Sequence, residues 1–532
     1  MTVHRNIFDL IILGATPAGI AAAVAAARRG YTSLILERTA HIGGLPANGL
    51  GATDIATRAC GGGFFKEFID RIKQYYIETY GPQSVQVAHC DDGYKFEPHV
   101  AERVFHDFIQ ACHPNVIVLR KRQFDFEPDN LEIVHSSIRS IRVTDLINKR
   151  EECYSGRFFC DCSYEGDIIA ASAGVSCFLG REGKEIYDEP GAGRVYKLWN
   201  GPECSGSTNV GDNAVQAFNY RLCLTAKASN RAKFQQPKNY NRKEFLSLID
   251  DVKSGIHTGA QNRLSPPQLE QNRRRAERGE RPIPHLLKGI ARLCSNNRVP
   301  NDKVDANNQH LALISTDLPE ENWPYSTSGW AWRDSFAERL RDYTEGLLYF
   351  AQNDEELPEW FRSEISEWGW AADEYTDNGY FPRQMYVREG RRMKGKYVFT
   401  AHDALPGEDG RAPLHKDSIT ASHYALDSHA VRKREPGRVH LDGFLSYKCV
   451  PYTVPYGVIV PDSPIKNLLA PVPVSASHIG FSTLRMEPCW MAMGQAAGIA
   501  ACIALLDGCS AADVDIGALQ DALLEEGAVL WI

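Results

Sequence analysis

The chain has 532 residues, a formal net charge of −8 at pH 7, 43% hydrophobic residues and 24% charged residues. At about 150 residues per domain, this length corresponds to roughly three domains. The composition is typical of a globular protein and excludes a collagen-like, a largely disordered and a small disulfide-stapled protein. The mild acidity argues against a nucleic-acid-binding protein, which would carry a basic excess.

Two uncharged stretches, 11–27 and 489–506, are at the short end of what can span a membrane. Glycines interrupt both, and the first lacks the basic start of a signal peptide, so we interpret them as interior elements and expect no membrane partner. The 14 cysteines include no Cys-x-x-Cys pair, which favours free thiols, a reducing compartment and a cytoplasmic protein. We attribute the acids around residues 161–167 to helix caps and turns rather than to a metal site.

The first 37 residues contain a complete β-α-β pattern. The apolar run 8–13 predicts a buried parallel strand, 20–29 a helix, and the run ending at Glu37 a second strand. Gly14 permits the tight strand-to-helix turn, and Gly19 lets the helix pack close to the sheet. Free N–H groups at the helix start can bind a pyrophosphate, and Glu37 can accept hydrogen bonds from a ribose.

The turn departs from the G-x-G-x-x-G fingerprint because Thr16 replaces the middle glycine. This side chain narrows the approach to the backbone, although its hydroxyl can itself bond a phosphate. With the flanking strands, helix and acid, the motif predicts a dinucleotide site; the alternative is an ordinary crossover that binds nothing. The residues expected to bind the cofactor here are Gly14, Thr16, Pro17, Ala18, Gly19 and Glu37.

The segment after Glu37 distinguishes FAD from NAD. The glycines at 43 and 44 directly follow the ribose acid and would let the backbone lie against a ligand. This arrangement resembles the FAD-binding fold of the glutathione-reductase superfamily, in which the loop continues along the nucleotide toward the flavin. The resemblance implies FAD as the cofactor and adds these contacts: Arg38, Gly43, Gly44, Leu45 and Asn48.

Further stretches from end to end of the chain resemble the FAD-dependent oxidoreductase family related to fumarate-reductase and thiazole-biosynthesis flavoproteins, some of which are labelled xanthan lyase. The stretches are 49–54, 94–105, 159–174, 216–225, 386–395 and 475–501. The resemblance implies an α/β protein: a Rossmann-like FAD-binding fold of the glutathione-reductase type with an inserted α+β substrate or cap domain. We expect the FAD-binding domain at 1–200 and 440–532, and the inserted domain at 201–439.

Two of these stretches imply additional cofactor contacts. In the resembled fold, the turn after the strand at 159–161 touches FAD, which assigns Cys162 and Ser163. A C-terminal helix there points its positive N-terminus at the pyrimidine edge of the flavin, where it would stabilise negative charge. A plain core helix is the alternative. The small-residue start of this helix implies contacts from Gly494, Gln495, Ala496 and Ala497.

Catalytic candidates are expected in polar stretches beside the FAD-contacting segments. His478 and Arg485 precede the C-terminal helix, where the histidine could act as a base and the arginine could bind substrate or the flavin edge. Arg388 lies in an arginine-rich segment suited to anchoring a carboxylate or enolate. His429, in a stretch rich in His and Asp, and Tyr456 are further candidates. For each of them a structural role is the alternative.

The leading hypothesis is an FAD-dependent oxidoreductase that oxidises a small organic substrate by hydride transfer to flavin N5, as a dehydrogenase or an oxidase. The alternatives are a flavin monooxygenase that uses NAD(P)H and O₂, and a non-catalytic flavin-binding or scaffold protein. The sequence has no second clear dinucleotide fingerprint, so no separate NAD(P)H domain is expected. The substrate, the electron acceptor and the oligomeric state stay open.

Overall fold

The computed structural model describes residues 7–197, 201–258, 264–284 and 287–532. Within them the strands are, in chain order, β1 (Phe8–Leu13), β2 (Ser33–Glu37), β3 (Val116–Arg120), β4 (Arg122–Gln123), β5 (Leu131–Val134), β6 (Ser137–Asp145), β7 (Arg150–Asp161), β8 (Cys177–Phe178), β9 (Leu222–Thr225), β10 (Arg231–Ala232), β11 (Cys294–Val299), β12 (Lys303–Asn308), β13 (Gly369–Ala371), β14 (Arg392–Met393), β15 (Ser418–Ser422), β16 (Leu426–Ser428), β17 (Leu445–Tyr447), β18 (Tyr452–Pro455) and β19 (Leu468–Leu469). The α-helices are, in chain order, α1 (Pro17–Arg28), α2 (Gly63–Tyr80), α3 (Val85–His89), α4 (Pro98–Ala111), α5 (Asp167–Ala171), α6 (Lys184–Tyr187), α7 (Ser247–Ser254), α8 (Pro266–Glu277), α9 (Trp330–Asn353), α10 (Glu359–Ser366), α11 (His478–Leu484), α12 (Glu487–Asp507) and α13 (Ile516–Glu525).

The largest sheet joins the two ends of the chain. Its strands lie in the order β3-β2-β1-β7-β6-β4, with β19 also paired to β7 and β5 to β6. Strands β3, β2, β1, β7 and β19 run parallel, whereas β4, β5 and β6 form antiparallel pairs. The central strand β1 is apolar and buried from Leu10 to Leu13, as expected for a strand covered on both faces. The predicted α/β Rossmann-like fold is therefore confirmed.

Helix α12 packs along α1 with the two backbones in close contact. A Cβ at Gly494 would lie 2.2 Å from the carbonyl oxygen of Ala18, and one at Gly498 would lie 2.3 Å from that of Ala22. By length and composition α12 could cross a membrane, and 78% of its most apolar window is buried inside the protein. Burial on all sides accounts for its uniformly apolar sequence.

A second sheet lies within the interval expected for the inserted domain. It is antiparallel, with the strand order β10-β13-β9-β12-β11. Helix α9 buries Phe336, Leu340 and Leu347 on one side. The strand pair β15–β18 crosses the expected boundary between residues 439 and 440. The two regions are therefore joined by backbone hydrogen bonds there, and the domain division stays a prediction.

All 14 cysteines are free thiols, as the sequence predicted. Cys160 and Cys162 are fully buried beside the central strands. Burial raises the pKa of the Cys162 thiol well above its usual range, so this thiol stays protonated. Such cysteines serve as small apolar residues of the core.

Candidate functional site

A cleft of about 1010 Å³ lies at the carboxyl ends of β1, β2 and β7. Its walls also include parts of the inserted region, at 325–337 and 383–387. The carboxyl ends of parallel strands are where open α/β sheets bind nucleotides. The residues expected to bind the cofactor that line this cleft are Gly14, Thr16, Glu37, Arg38, Gly44, Asn48 and Ser163.

The turn between β1 and α1 permits close approach of a ligand. Gly14 has φ +96°, and a Cβ there would lie 2.9 Å from the carbonyl oxygen of Cys162. The Thr16 hydroxyl donates to that carbonyl at 2.9 Å and accepts from the N–H of Gly19 at 3.2 Å. Among the described residues, the N–H groups of Thr16 and Ala18 have no acceptor. The first turn of α1 therefore has donors available for phosphate oxygens.

Glu37 stands at the carboxyl end of β2, in the wall of the cleft. Its Oε2 accepts from the N–H of Ala15 at 2.9 Å, and its Oε1 accepts from the N–H of Thr39 at 2.7 Å. Each carboxylate oxygen can accept a further hydrogen bond. The carboxylate thus fixes the turn between β1 and α1, and its oxygens can still accept a hydrogen bond from a ribose hydroxyl.

Arg38 joins the rim of the cleft to the start of α9. Its Nε donates to Gln123 at 3.0 Å, and its Nη2 donates to Asp334 at 2.6 Å. The guanidinium stacks 4.0 Å from the ring centroid of Trp330, whose indole N–H donates to the carbonyl of Phe124 at 2.8 Å. The inserted region is thereby held against the end of the cleft marked by Glu37.

Buried carboxyl groups line the middle of the cleft. Glu165 accepts a hydrogen bond from Tyr325 at 2.9 Å, and burial raises its pKa to about 7. Asp167 accepts from Arg333 at 2.7 and 2.8 Å and from Arg391 at 2.6 Å. Arg333 and Arg391 are therefore committed to a buried ion pair, whereas Glu165 changes charge close to neutral pH.

The inner end of the cleft meets the start of α12 through Tyr164. Its hydroxyl donates to Glu487 at 2.6 Å and accepts from the N–H of Leu45 at 3.2 Å. Burial raises the pKa of Glu487 to about 8, and its Oε2 has no partner in the described part of the chain. The first turn of α12 thus reaches the cleft through a carboxyl group that is mainly neutral at pH 7.

The residues of α12 that were expected to bind the cofactor support the cleft from behind. Gln495 accepts from the N–H of Phe64 at 3.0 Å and donates to Glu526 at 2.7 Å, and Gly494 packs against α1. They lie two turns into α12, so they face the neighbouring helices instead of the helix end. The expected residues absent from the cleft lining are Pro17, Ala18, Gly19, Gly43, Leu45, Cys162, Gly494, Gln495, Ala496 and Ala497.

A group of polar residues lies on the other side of the segment 383–388. Met385 and Val387 line the cleft, whereas the alternate residues Tyr386 and Arg388 contact this polar group. We call it the arginine–carboxylate cluster, and its members are Asp54, Arg221, Asp305, Asp317, Arg388, Asp427, His429 and Arg485.

One half of the cluster is organised around His429. Its Nδ1 lies 2.7 Å from Asp317, which also accepts from Arg388 at 2.8 Å. Its Nε2 lies 3.5 Å from Asp427, which lies 3.6 Å from Arg485. Although burial raises the pKa of Asp427, the neighbouring His429 and Arg485 lower it to about 2. Asp427 is therefore ionised at neutral pH.

The other half of the cluster connects to the cleft through the loop that follows Asn48. Arg221 forms an ion pair with Asp305 and lies 3.7 Å from Asp54. Asp305 also accepts from the N–H of Ala52 at 3.1 Å. Asn48 lines the cleft, and the same loop reaches the cluster at Asp54. The cleft and the cluster therefore share a wall.

The fold brings together three of the five expected catalytic residues, Arg388, His429 and Arg485. His478 adjoins them, but its Nδ1 lies 3.0 Å from Glu389 and its Nε2 lies 3.2 Å from the hydroxyl of Ser428. Both of its nitrogens are thus used inside the protein. Tyr456 lies apart, and its hydroxyl donates to the carbonyl of Ala511 at 2.8 Å.

A second cavity, of about 910 Å³, lies in the inserted region. Its wall combines apolar side chains such as Ile314 and Tyr343 with charged ones, among them Asp317, Arg432 and Arg434. Since Asp317 also contacts His429, the cavity is one residue away from the arginine–carboxylate cluster.

A family model described as FAD dependent oxidoreductase matches residues 9–523. The chain belongs to the FAD-dependent oxidoreductase family. It is thus an oxidoreductase with FAD as its cofactor, and the family, the enzyme class and the cofactor expected from the sequence are confirmed.

Similar proteins include the ferredoxin–NADP reductase of Mycoplasmoides gallisepticum (strain R(low / passage 15 / clone 2)), which is 40% identical over 171 residues, covering 28% of this chain and 49% of that protein. The chain therefore spans about half the length of this curated relative. Among solved structures, the myxobacterial chondrochloren halogenase is 18% identical, with 33% of this chain and 41% of that chain covered and a TM-score of 0.24. The glycerol-3-phosphate dehydrogenase from Bacillus halodurans, complexed with FAD, is 8% identical, with coverages of 37% and 45% and a TM-score of 0.23.

Several residues of the site were not expected to act there. Asp54, Asp305 and Asp317 come from a loop, a strand and a loop far apart in the sequence, and no motif connects them. Glu165 had a signal, since it belongs to a group of acids directly after β7, but a turn explained that group equally well. Glu487 had a weaker signal, as an acid at the start of an otherwise apolar helix.

Proposed function

We propose that the protein is an FAD-dependent dehydrogenase or oxidase that removes two electrons from a small organic substrate bound at the arginine–carboxylate cluster. The observation that supports this most strongly is the wall shared by the cleft and the cluster. The loop from Asn48 to Asp54 and the segment 383–388 each face both of them. A cofactor in the cleft and a substrate at the cluster would therefore lie next to each other.

The residues of the cleft fit FAD. Glu37 offers acceptors to the ribose, and the N–H groups of Thr16 and Ala18 offer donors to the pyrophosphate. From there the cleft continues past Gly44 to Tyr164, at the start of α12. We therefore assign the adenosine half of FAD to the Glu37 end and the flavin half to the Tyr164 end.

FAD supplies the two-electron acceptor when it is bound. The chain has to orient the substrate, exclude water and remove a proton. The cluster is suited to this because its charged groups are buried and fixed by ion pairs, such as that of Arg388 with Asp317 at 2.8 Å. Preorganised charges in a buried site stabilise charge that develops during a reaction. In this proposal His478 holds Glu389 in place through a hydrogen bond and does not contact the substrate.

Anaerobic reduction of the purified holoenzyme tests the proposal. Small alcohols, amines and hydroxy acids are mixed with the yellow protein, and the flavin absorbance near ~450 nm is followed without NAD(P)H. Bleaching by one of these compounds supports a dehydrogenase or an oxidase, and oxygen consumption then separates the two. Substrate-dependent oxidation of NADPH in air, with no bleaching by substrate alone, would instead show a monooxygenase. A protein that takes up no FAD would contradict the whole assignment.

A further inference from the structure

The polar atoms that the arginine–carboxylate cluster leaves accessible belong to its carboxylates. Asp54 and Asp427 keep 19% and 16% of their side-chain surface accessible. The three arginines are almost completely buried, with 3% of Arg221, 0% of Arg388 and 2% of Arg485 accessible. The guanidinium groups therefore lie deeper in the protein than the carboxylates. A ligand that enters from solvent contacts the carboxylates first.

Inside the protein, four carboxylates of the cluster face three arginines and His429. Asp54 and Asp305 pair with Arg221, and Asp427 lies within 4 Å of Arg485. Asp317 pairs with Arg388 in the same way. An anionic substrate would be repelled by the partly accessible carboxylates of Asp54 and Asp427. The charge pattern therefore disfavours an anionic ligand.

Two buried atoms of the cluster lack hydrogen-bond partners among the described residues. They are Oδ1 of Asp427, an acceptor, and Nε of Arg485, a donor, and these two side chains are neighbours. Unpaired buried polar atoms are unfavourable, so a ligand that satisfies both is stabilised. A hydroxyl group can donate to one and accept from the other. An ammonium group cannot accept, and a carboxylate cannot donate.

We propose that the cluster binds a neutral, hydroxyl-bearing substrate, an alcohol or a polyol, whose reacting hydroxyl donates to Asp427 and accepts from Arg485. This inference rests on the proposed function and names its substrate class. Oxidation would break the C–H and O–H bonds at one carbon: bound FAD would accept the hydride, the hydroxyl proton would pass to Asp427, whose Oδ2 lies 3.5 Å from Nε2 of His429, and a carbonyl group would remain.

A matched panel of substrates tests the class. Neutral alcohols and polyols, the corresponding primary amines and the corresponding hydroxy acids are compared by anaerobic bleaching of the FAD-loaded wild-type protein. We expect kcat/KM to be at least about 10-fold higher for the neutral compounds. Bleaching by amines or hydroxy acids alone, or by no neutral alcohol in the panel, would overturn the class. The first of these results would leave the proposed oxidoreductase function intact, whereas failure to load FAD would reject that function itself.

Two substitutions test the separate roles of the carboxylates. We expect Asp427→Asn to lower kcat by about 10²–10⁴-fold, because the reacting hydroxyl loses the carboxylate that takes its proton. We expect Asp54→Asn to change kcat and KM much less, because Asp54 takes neither the hydrogen bond nor the proton of the hydroxyl. Asp462→Asn, which removes an exposed partner of Lys396, is the control. An unchanged kcat in FAD-loaded Asp427→Asn, or an equal loss of kcat in the two variants, would reject this role of Asp427.

Discussion

A single carboxylate organises the nucleotide end of the cleft. Glu37 binds the N–H groups of Ala15 and Thr39, so it fixes the turn after β1 relative to the end of β2. The same oxygens face the cleft. Its removal therefore affects both the turn and the ligand.

We expect Glu37→Gln to weaken FAD binding by about 1–3 kcal/mol, because one acceptor becomes a donor in a buried polar site. This corresponds to an increase in Kd of roughly 5- to 150-fold. Fluorescence titration of the FAD-free protein with FAD measures it. Asp107→Asn, at an exposed position on α4, is the control and should leave Kd unchanged. Equal Kd values for wild type and Glu37→Gln would contradict the assignment of the ribose site.

Glu487 is a buried carboxyl group whose folded-state pKa lies above its value in the unfolded chain. Burial raises that pKa from 4.5 to about 8. Between these pH values the folded protein holds a proton that the unfolded chain has lost. The contribution of Glu487 to stability is therefore largest at low pH and falls as the pH rises through this window.

We expect Glu487→Gln to gain stability relative to the wild type as the pH rises from 5 to 8, because glutamine cannot ionise. The upper bound is about 1.4 kcal/mol for each pH unit. Urea unfolding midpoints at four pH values in this range measure the difference. Glu525→Gln, at an exposed position on α13, should show no such trend. A difference that stays constant with pH would show that Glu487 is ionised throughout.

At the scale of elements, the contact of α12 with α1 determines how the N-terminus of α1 is held. Gly494 packs against Ala18, in the first turn of α1, and Gly498 packs against Ala22, one turn further from the cleft. Neither contact leaves space for a Cβ, since the nearest atoms are backbone oxygens. The two glycines thus form a matched pair at different distances from the cofactor.

We expect Gly494→Ala and Gly498→Ala each to destabilise the protein by about 1–3 kcal/mol through overpacking. Only Gly494→Ala should also weaken FAD binding, because it displaces the turn that carries the phosphate donors. Thermal unfolding and FAD titration measure the two effects separately. Gly517→Ala, in the exposed part of α13, is the control and should be neutral or slightly stabilising. Equal losses of FAD affinity in both variants would contradict this distinction.

At the scale of the whole molecule, the cleft is assembled from regions far apart in the chain. The β1 turn, the end of β2, the start of α9 and the segment 383–387 all contribute to its wall. A ligand that contacts all of them stabilises their common arrangement and does not act on the nucleotide-binding unit alone. The inserted region should therefore respond to the cofactor.

We expect removal of FAD to lower the unfolding temperature and to increase hydrogen exchange in 325–337 as well as around β1 and β2. By mass action, free FAD at 100 times its Kd stabilises the protein by about 2.7 kcal/mol. Hydrogen-exchange mass spectrometry of the FAD-free and FAD-loaded protein measures the regional effect. Residues 516–525, in α13, lie outside the cleft lining and serve as the internal reference. Protection confined to β1, α1 and β2 would show that α9 does not close the site.

The sequence alone determined the nucleotide-binding end of the protein. The β1 turn, α1 and Glu37 lie within 30 residues, so their geometry depends on local spacing: a glycine where φ must be positive, a cap at the helix start and an acid at the end of a strand. The sequence also predicted that α12 is buried, because its residues are apolar on every face of the helix. These features are fixed by neighbours along the chain.

Only the tertiary structure decided how the reaction end is built. Asp54, Asp317 and Asp427 meet three arginines there because packing of the inserted region on the FAD-binding sheet joins segments that no local pattern relates. The small residues from Gly494 onward turned out to face α1, since helical phase and the neighbouring helix decide which side of α12 is covered. Contacts between residues hundreds of positions apart depend on packing of the whole chain, and local propensity carries no information about them.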